Sequence, residues 1–190
     1  METRTMHPRM QELLDFMDEQ YAAFRAAAQS VPAADRERQP EPGRWSVAQV
    51  VDHVARVEGM GAHRVCEKLA EARAQGADEE TETGPVISPA LLAMLTDRSS
   101  RRQAPERAHP GPDVRFDEAW AALEAAHGQV RQTYADADGL ALERLQMPHP
   151  ALGVLDLYQW GVAMGGHEAR HAAQIREIAD TLAAAPSNAG

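Results

Sequence analysis

Near its C-terminal end the chain reads His167-Glu168-Ala169-Arg170-His171, on a segment striped with apolar residues at helical spacing. Residues four apart on an α-helix lie about 40° apart around the axis and about 6 Å apart along it. Both imidazoles therefore leave one face and could hold one metal ion. The string also satisfies H-E-x-x-H, the zinc-protease signature, whose glutamate acts as general base. Spacing alone says little, because eight histidines in 190 positions supply about 0.3 such pairs by chance. Position says more. His171 falls in the middle of the apolar stripe and His167 at its edge. Buried imidazoles need partners. A shared cation is one kind, and core hydrogen bonds are another.

A metal site needs a third ligand and an open position for water or substrate. His53 is the best candidate, at the edge of an apolar helical face, three after Val50 and four before Val57. The alternative is a boundary histidine bonded to water. His127, between Leu123 and Val130, reads first as a buried structural histidine, with fourth ligand or substrate contact as alternatives. His7, His63, His109 and His149 fall in loops or off the apolar faces and are expected to be solvated. Cys66, 13 residues after His53, points elsewhere on the same helix. Glu168 turns inward by the same angle count and is the candidate catalytic base; a partner to an imidazole N–H or a surface carboxylate near Arg170 are the alternatives. A zinc protease is a remote reading. Known extensions of its motif add a spaced third histidine or a more distant glutamate. Here Ala172, Ala173 and Gln174 follow, and the chain ends 19 residues after His171.

Helices must position these groups. The first stretch runs from about Pro8 to Ala28, with Met10, Leu13, Leu14, Met17, Tyr21 and Phe24 on one face. The second opens at Ser46, where Ser46 and Gln49 form a capping box. It carries Val47, Val50, Val54, Val57, Gly61 and Val65 and ends near Gly76. Residues 76–115 are polar, acidic and rich in proline, with a short helical piece around Pro89–Leu95. So long a connection suits a crossover between parallel helices better than a hairpin. The third helix carries Phe116, Trp120, Leu123, Val130 and Tyr134 and stops before Asp138-Gly139. Asp156 and Gln159 cap the fourth, whose stripe is Leu157, Trp160, Met164, His171, Ile175, Ile178 and Leu182. Nothing reads as a sheet. The expectation is an all-α four-helix bundle forming a single domain over residues 1–185, with a frayed tail at 186–190.

Composition sets limits on function. Hydrophobic residues make up 44% and charged residues 25%, the range of ordinary globular domains. A net charge of −10 argues against nucleic acid or an anionic membrane surface as partner. No apolar run approaches the ~20 residues of a membrane span. The N-terminal residues lack the apolar core of a signal peptide, and the single cysteine suits a reducing cytoplasm.

Two stretches resemble a known family. Gly43-Arg44-Trp45-Ser46-Val47-Ala48-Gln49-Val50-Val51-Asp52-His53 is similar to the W-S-x-x-x-x-x-x-H entry to the second helix in the DinB/YfiT-like superfamily. His149-Pro150-Ala151-Leu152-Gly153, then Asp156, then His167 to Ile175, resembles its H-P-x-x-G turn followed by H-E-x-x-H-x-x-Q-I. The resemblance implies a four-helix bundle in up-down-down-up order and a divalent metal, usually nickel or zinc, held by His53, His167 and His171. Members with known activity include S-transferases and isomerases that use low-molecular-weight thiols such as bacillithiol, mycothiol or glutathione. Others are proposed metal-dependent hydrolases, and family members often form homodimers. The expected function is metal-dependent activation of a thiol or water against a small-molecule substrate. The alternative is a non-enzymatic metal-binding, stress-associated or degenerate structural bundle. The 76–115 insert departs from the plainer family pattern and could cover the metal mouth.

Overall fold

In the computed structural model, residues 5–99 and 104–184 are described. Four long helices make up most of it: α1 (Pro8–Ser30), α2 (Val47–Ala74), α4 (Phe116–Ala135) and α5 (Leu157–Ala184), with a shorter α3 (Pro89–Thr96) inside the crossover. Both capping boxes form. Ser46 N–H donates to Gln49 and Gln49 N–H to Ser46, at 3.0 and 3.2 Å. Asp156 and Gln159 exchange the same pair of bonds at 3.1 and 2.8 Å. These satisfy amides that the first helical turn leaves without a partner.

Side-chain contacts fix the directions. Arg9 lies over the Tyr158 ring and Phe16 lies beside Gly165, so α1 and α5 run parallel. Gln49 donates to the Gly111 carbonyl before α4, while Arg73 donates to Asp136 at its end; α2 and α4 are parallel too. Arg131 pairs with Asp18 and the His7 N–H with Asp138, which sets α4 against α1. The order is up-down-down-up. The parallel α2 and α4 require the long crossover, as the sequence suggested.

Close approach of α1 to α5 rests on glycine. A Cβ on Gly161 would meet Leu13 at 2.8 Å, and one on Gly165 would meet Phe16 at 2.6 Å. Gly166 does the same for Leu95 of α3, which packs on the outer face of α5. The crossover is tied down by a buried ion pair. Arg9 donates to Glu80 at 2.9 Å, and the Tyr158 hydroxyl donates to the same carboxylate oxygen at 2.9 Å.

One expectation is corrected. A small antiparallel hairpin precedes α5: β1 (Gln146–His149) pairs with β2 (Gly153–Asp156). Gly153, at φ 80°, supplies the left-handed residue that closes the turn. Met147 and Leu155 face inward and are buried, and Val154 faces solvent. The 186–190 tail lies outside the described residues. No helix of the described residues is long and apolar enough to cross a membrane.

The apolar core comes in two parts. One gathers Leu13, Met17, Val65, Val130 and Met164, and the other Phe24, Val54, Leu123, Ala172 and Ile175. Between them, in chain order on each helix, stand Tyr21, Glu58, His127 and Glu168. A polar layer thus crosses the middle of the bundle.

Candidate metal centre

His53 comes from the second turn of α2, and His167 and His171 from the middle of α5. The antiparallel approach of the two helices brings their rings together. His167 Nε2 lies 3.2 Å from His53 Nε2 and 3.1 Å from His171 Nε2. Three nitrogens bound to one zinc at about 2.0–2.1 Å in tetrahedral geometry would stand about 3.3 Å apart. These two separations fit that spacing. A proton on one Nε2 could satisfy only one neighbour at a time, so three converging nitrogens suit a cation better than a hydrogen-bond chain.

The outward nitrogens are fixed as a metal site requires. His53 Nδ1–H donates to the Ala108 carbonyl at 2.7 Å, and His171 Nδ1–H donates to the Gln174 side-chain oxygen at 2.8 Å. Each bond selects the tautomer whose Nε2 lone pair faces the cluster. His167 Nδ1 is buried without a hydrogen-bond partner. His53 and His171 are 4% and 8% exposed, and His167 is half-buried. Burial lowers the pKa of all three, and the neighbouring imidazoles lower those of His167 and His171 further, His171 to about 3. The rings are therefore neutral at pH 7, the state that binds metal. The donor set, three neutral imidazoles with locked tautomers, fits a divalent cation.

The crossover reaches this centre. A single 3-10 turn at Glu106–Ala108 carries the carbonyl that holds His53. Trp45 stacks at a tilt on His53, with ring centroids 5.0 Å apart, and His109 meets the edge of Trp45. His149, expected in solvent, is half-buried and packs on Trp160 at 4.6 Å. His7 accepts from the Arg9 N–H at the start of α1. His63 and His109 are exposed, as is the free Cys66.

Glu168 turns away from the histidine triad. Its Oε1 lies 3.5 Å from His127 Nδ1, and Glu58 Oε2 lies 3.6 Å from the same atom. Burial pushes the Glu168 carboxyl well above the usual carboxylate range, and Glu58 adds to this against the opposing pull of His127. Burial alone would lower the His127 pKa, but Glu168 and Glu58 outweigh it and raise it to about 9. Tyr21 stacks on the His127 ring, with centroids 3.9 Å apart.

Sequence reasoning missed Glu58, Ala108 and the part played by Gln174. Glu58 occupies the inward position where the apolar stripe predicts Val57, which is half-buried. A charged residue four after Val54 and three before Gly61 was the available signal. The Ala108 contact is made by a backbone carbonyl, for which no residue type is diagnostic.

The sequence profile of the DinB superfamily matches residues 16–175. The chain is 25% identical over 146 residues to YuaE of Bacillus subtilis (strain 168), described as uncharacterized, covering 76% of this chain and 83% of that protein. Its fold is similar to the crystal structure of TT2238, a four-helix bundle protein, with a TM-score of 0.54 and 20% identity, over 88% of this chain and 98% of that one.

Proposed function

This chain belongs to the DinB superfamily, and from that membership and the triad we propose a divalent-metal enzyme that activates a thiol or a water against a small electrophilic substrate. The observation that carries the reading is the approach of His53 and His171 Nε2 to His167 Nε2, at 3.2 and 3.1 Å, with two of the rings held from behind. A nickel or zinc ion held there would supply Lewis acidity, lowering the pKa of a thiol or water brought to its open side. The three imidazoles bind through Nε2. Ala108 and Gln174 orient two of them, and Trp45 screens His53 from solvent. Glu168 enters as the buried carboxylate that joins the triad's helix to His127. A direct general-base role requires its side chain to turn from His127, 3.5 Å away.

The same proposal places the protein in the reducing cytoplasm, as a single domain, with a low-molecular-weight thiol as co-substrate and a homodimer as the assembly. The test is elemental analysis of tag-free protein and of His53→Ala, His167→Ala and His171→Ala. Each replacement is expected to remove one equivalent of nickel or zinc. Full stoichiometry in all three variants would overturn the metal assignment.

A second reading is a non-enzymatic bundle with a structural metal. The burial of His53 and His171 beneath the crossover favours it. Cobalt-loaded protein separates the two: a thiol that reaches the ion changes the visible absorption bands, and a closed site leaves them unchanged.

A further inference from the structure

We propose that Glu58, His127 and Glu168 form a second divalent-cation site in the middle of the bundle, distinct from the histidine triad. The three residues come from α2, α4 and α5, and Glu58 and Glu168 are each 2% exposed. Among the described residues, neither oxygen of Glu58 nor Oε1 of Glu168 has a hydrogen-bond partner. Buried carboxylate oxygens left without hydrogen bonds are costly. One imidazole N–H cannot satisfy these three carboxylate oxygens.

The spacing identifies what does. Charge-assisted hydrogen bonds between an imidazolium and a carboxylate close to about 2.7–2.9 Å. Here His127 Nδ1 lies 3.5 Å from Glu168 Oε1 and 3.6 Å from Glu58 Oε2. Donors that share one small cation at about 2.0–2.2 Å stand about 2.8–3.6 Å apart, from octahedral to tetrahedral geometry. The separations follow the second pattern. Charge follows it too, since a divalent ion neutralises two carboxylates and leaves the imidazole neutral. Two carboxylates and one imidazole inside a helical bundle suit Mn²⁺, Fe²⁺ or Zn²⁺.

The test uses full-length, tag-free protein stripped with chelator and titrated separately with Zn²⁺ and Mn²⁺. Wild type is expected to bind two equivalents of Zn²⁺. His53→Ala/His171→Ala should keep one, and Glu58→Gln should also keep one, held by the triad. Mn²⁺ bound to the double histidine variant should give an electron paramagnetic resonance signal of immobilised ion, lost on adding His127→Gln. Circular dichroism checks that each variant is folded. If Glu58→Gln fails to fold, the double histidine variant decides alone. No metal in that variant, with one equivalent in wild type, would overturn the second site and leave an imidazolium–carboxylate proton network. Metal in that variant with none in Glu58→Gln would instead overturn the triad.

Discussion

The His53 ring donates its Nδ1–H to the backbone carbonyl of Ala108 at 2.7 Å, across 55 positions of sequence. The crossover thereby fixes the orientation of a candidate metal ligand on α2, and Gln174 does the same for His171 within α5. Replacing Gln174 by Ala should weaken cation binding by about 10–100-fold. Gln174→Glu keeps the acceptor and should restore most of it. Ala108→Leu, which displaces the carbonyl at a fully buried position, should act like Gln174→Ala. Chelator competition reads all three, and unchanged affinity in both Gln174→Ala and Ala108→Leu would remove the orienting role.

The two polar clusters predict opposite pH dependence in metal-free protein. Burial holds the triad imidazoles below the ordinary 6.5, His171 at about 3. Below pH 6.5 the unfolded chain takes up protons that the folded chain refuses, so stability falls as the pH drops from 6.5 toward 3. His127, raised from 6.5 to about 9, contributes stability that is complete below 6.5 and lost as the pH rises through 9. Urea midpoints should peak between these limbs. Glu58→Gln should flatten the alkaline limb, and His53→Ala/His171→Ala the acid one. A midpoint that climbs steadily below pH 6 would contradict the first assignment.

Gly165→Ala should destabilise the bundle by about 1–3 kcal/mol, because the new Cβ would meet Phe16 at 2.6 Å. Gly59→Ala is the matched control on α2. A Cβ there meets nothing within 4 Å, and helix propensity should yield a gain of up to about 1 kcal/mol. Chemical denaturation gives both values. Equal effects at the two sites would mean that α1 and α5 do not approach as described.

Arg9→Met should cost about 3 kcal/mol, since it leaves the Glu80 carboxylate buried without its cation. The Glu80 side chain is 2% exposed and is otherwise met by the Tyr158 hydroxyl and the Glu82 N–H. The crossover should loosen first. Limited proteolysis with a glutamate-specific protease should cut the variant near Glu79–Glu82 well before wild type. Unchanged cleavage would show that the segment is held elsewhere.

Apolar stripes and caps made the four helices legible: Ser46 with Gln49 and Asp156 with Gln159 mark helix starts to within a residue. The parallel pairing of α2 and α4 followed from the length of the crossover. The hairpin before α5 was hidden because its strands have four residues each and Pro148 interrupts the first, which argues against a strand. The triad histidines were recognisable from type, spacing and family motif. Glu58 was not, because at the boundary of a helical stripe a shift of one position exchanges it with Val57. Ala108 acts through its backbone, and backbone groups are common to every residue.

The Nε2 contact between His53 and His167 spans 114 positions. A cation shared by those two rings would close most of the chain into one loop, as a disulfide does, but by bonds that a chelator can undo. Loop-closure entropy would then appear as metal dependence of folding, and native stability would rise with free cation by mass action. Occupancy of the triad could then be followed as a rise of the unfolding midpoint with free cation.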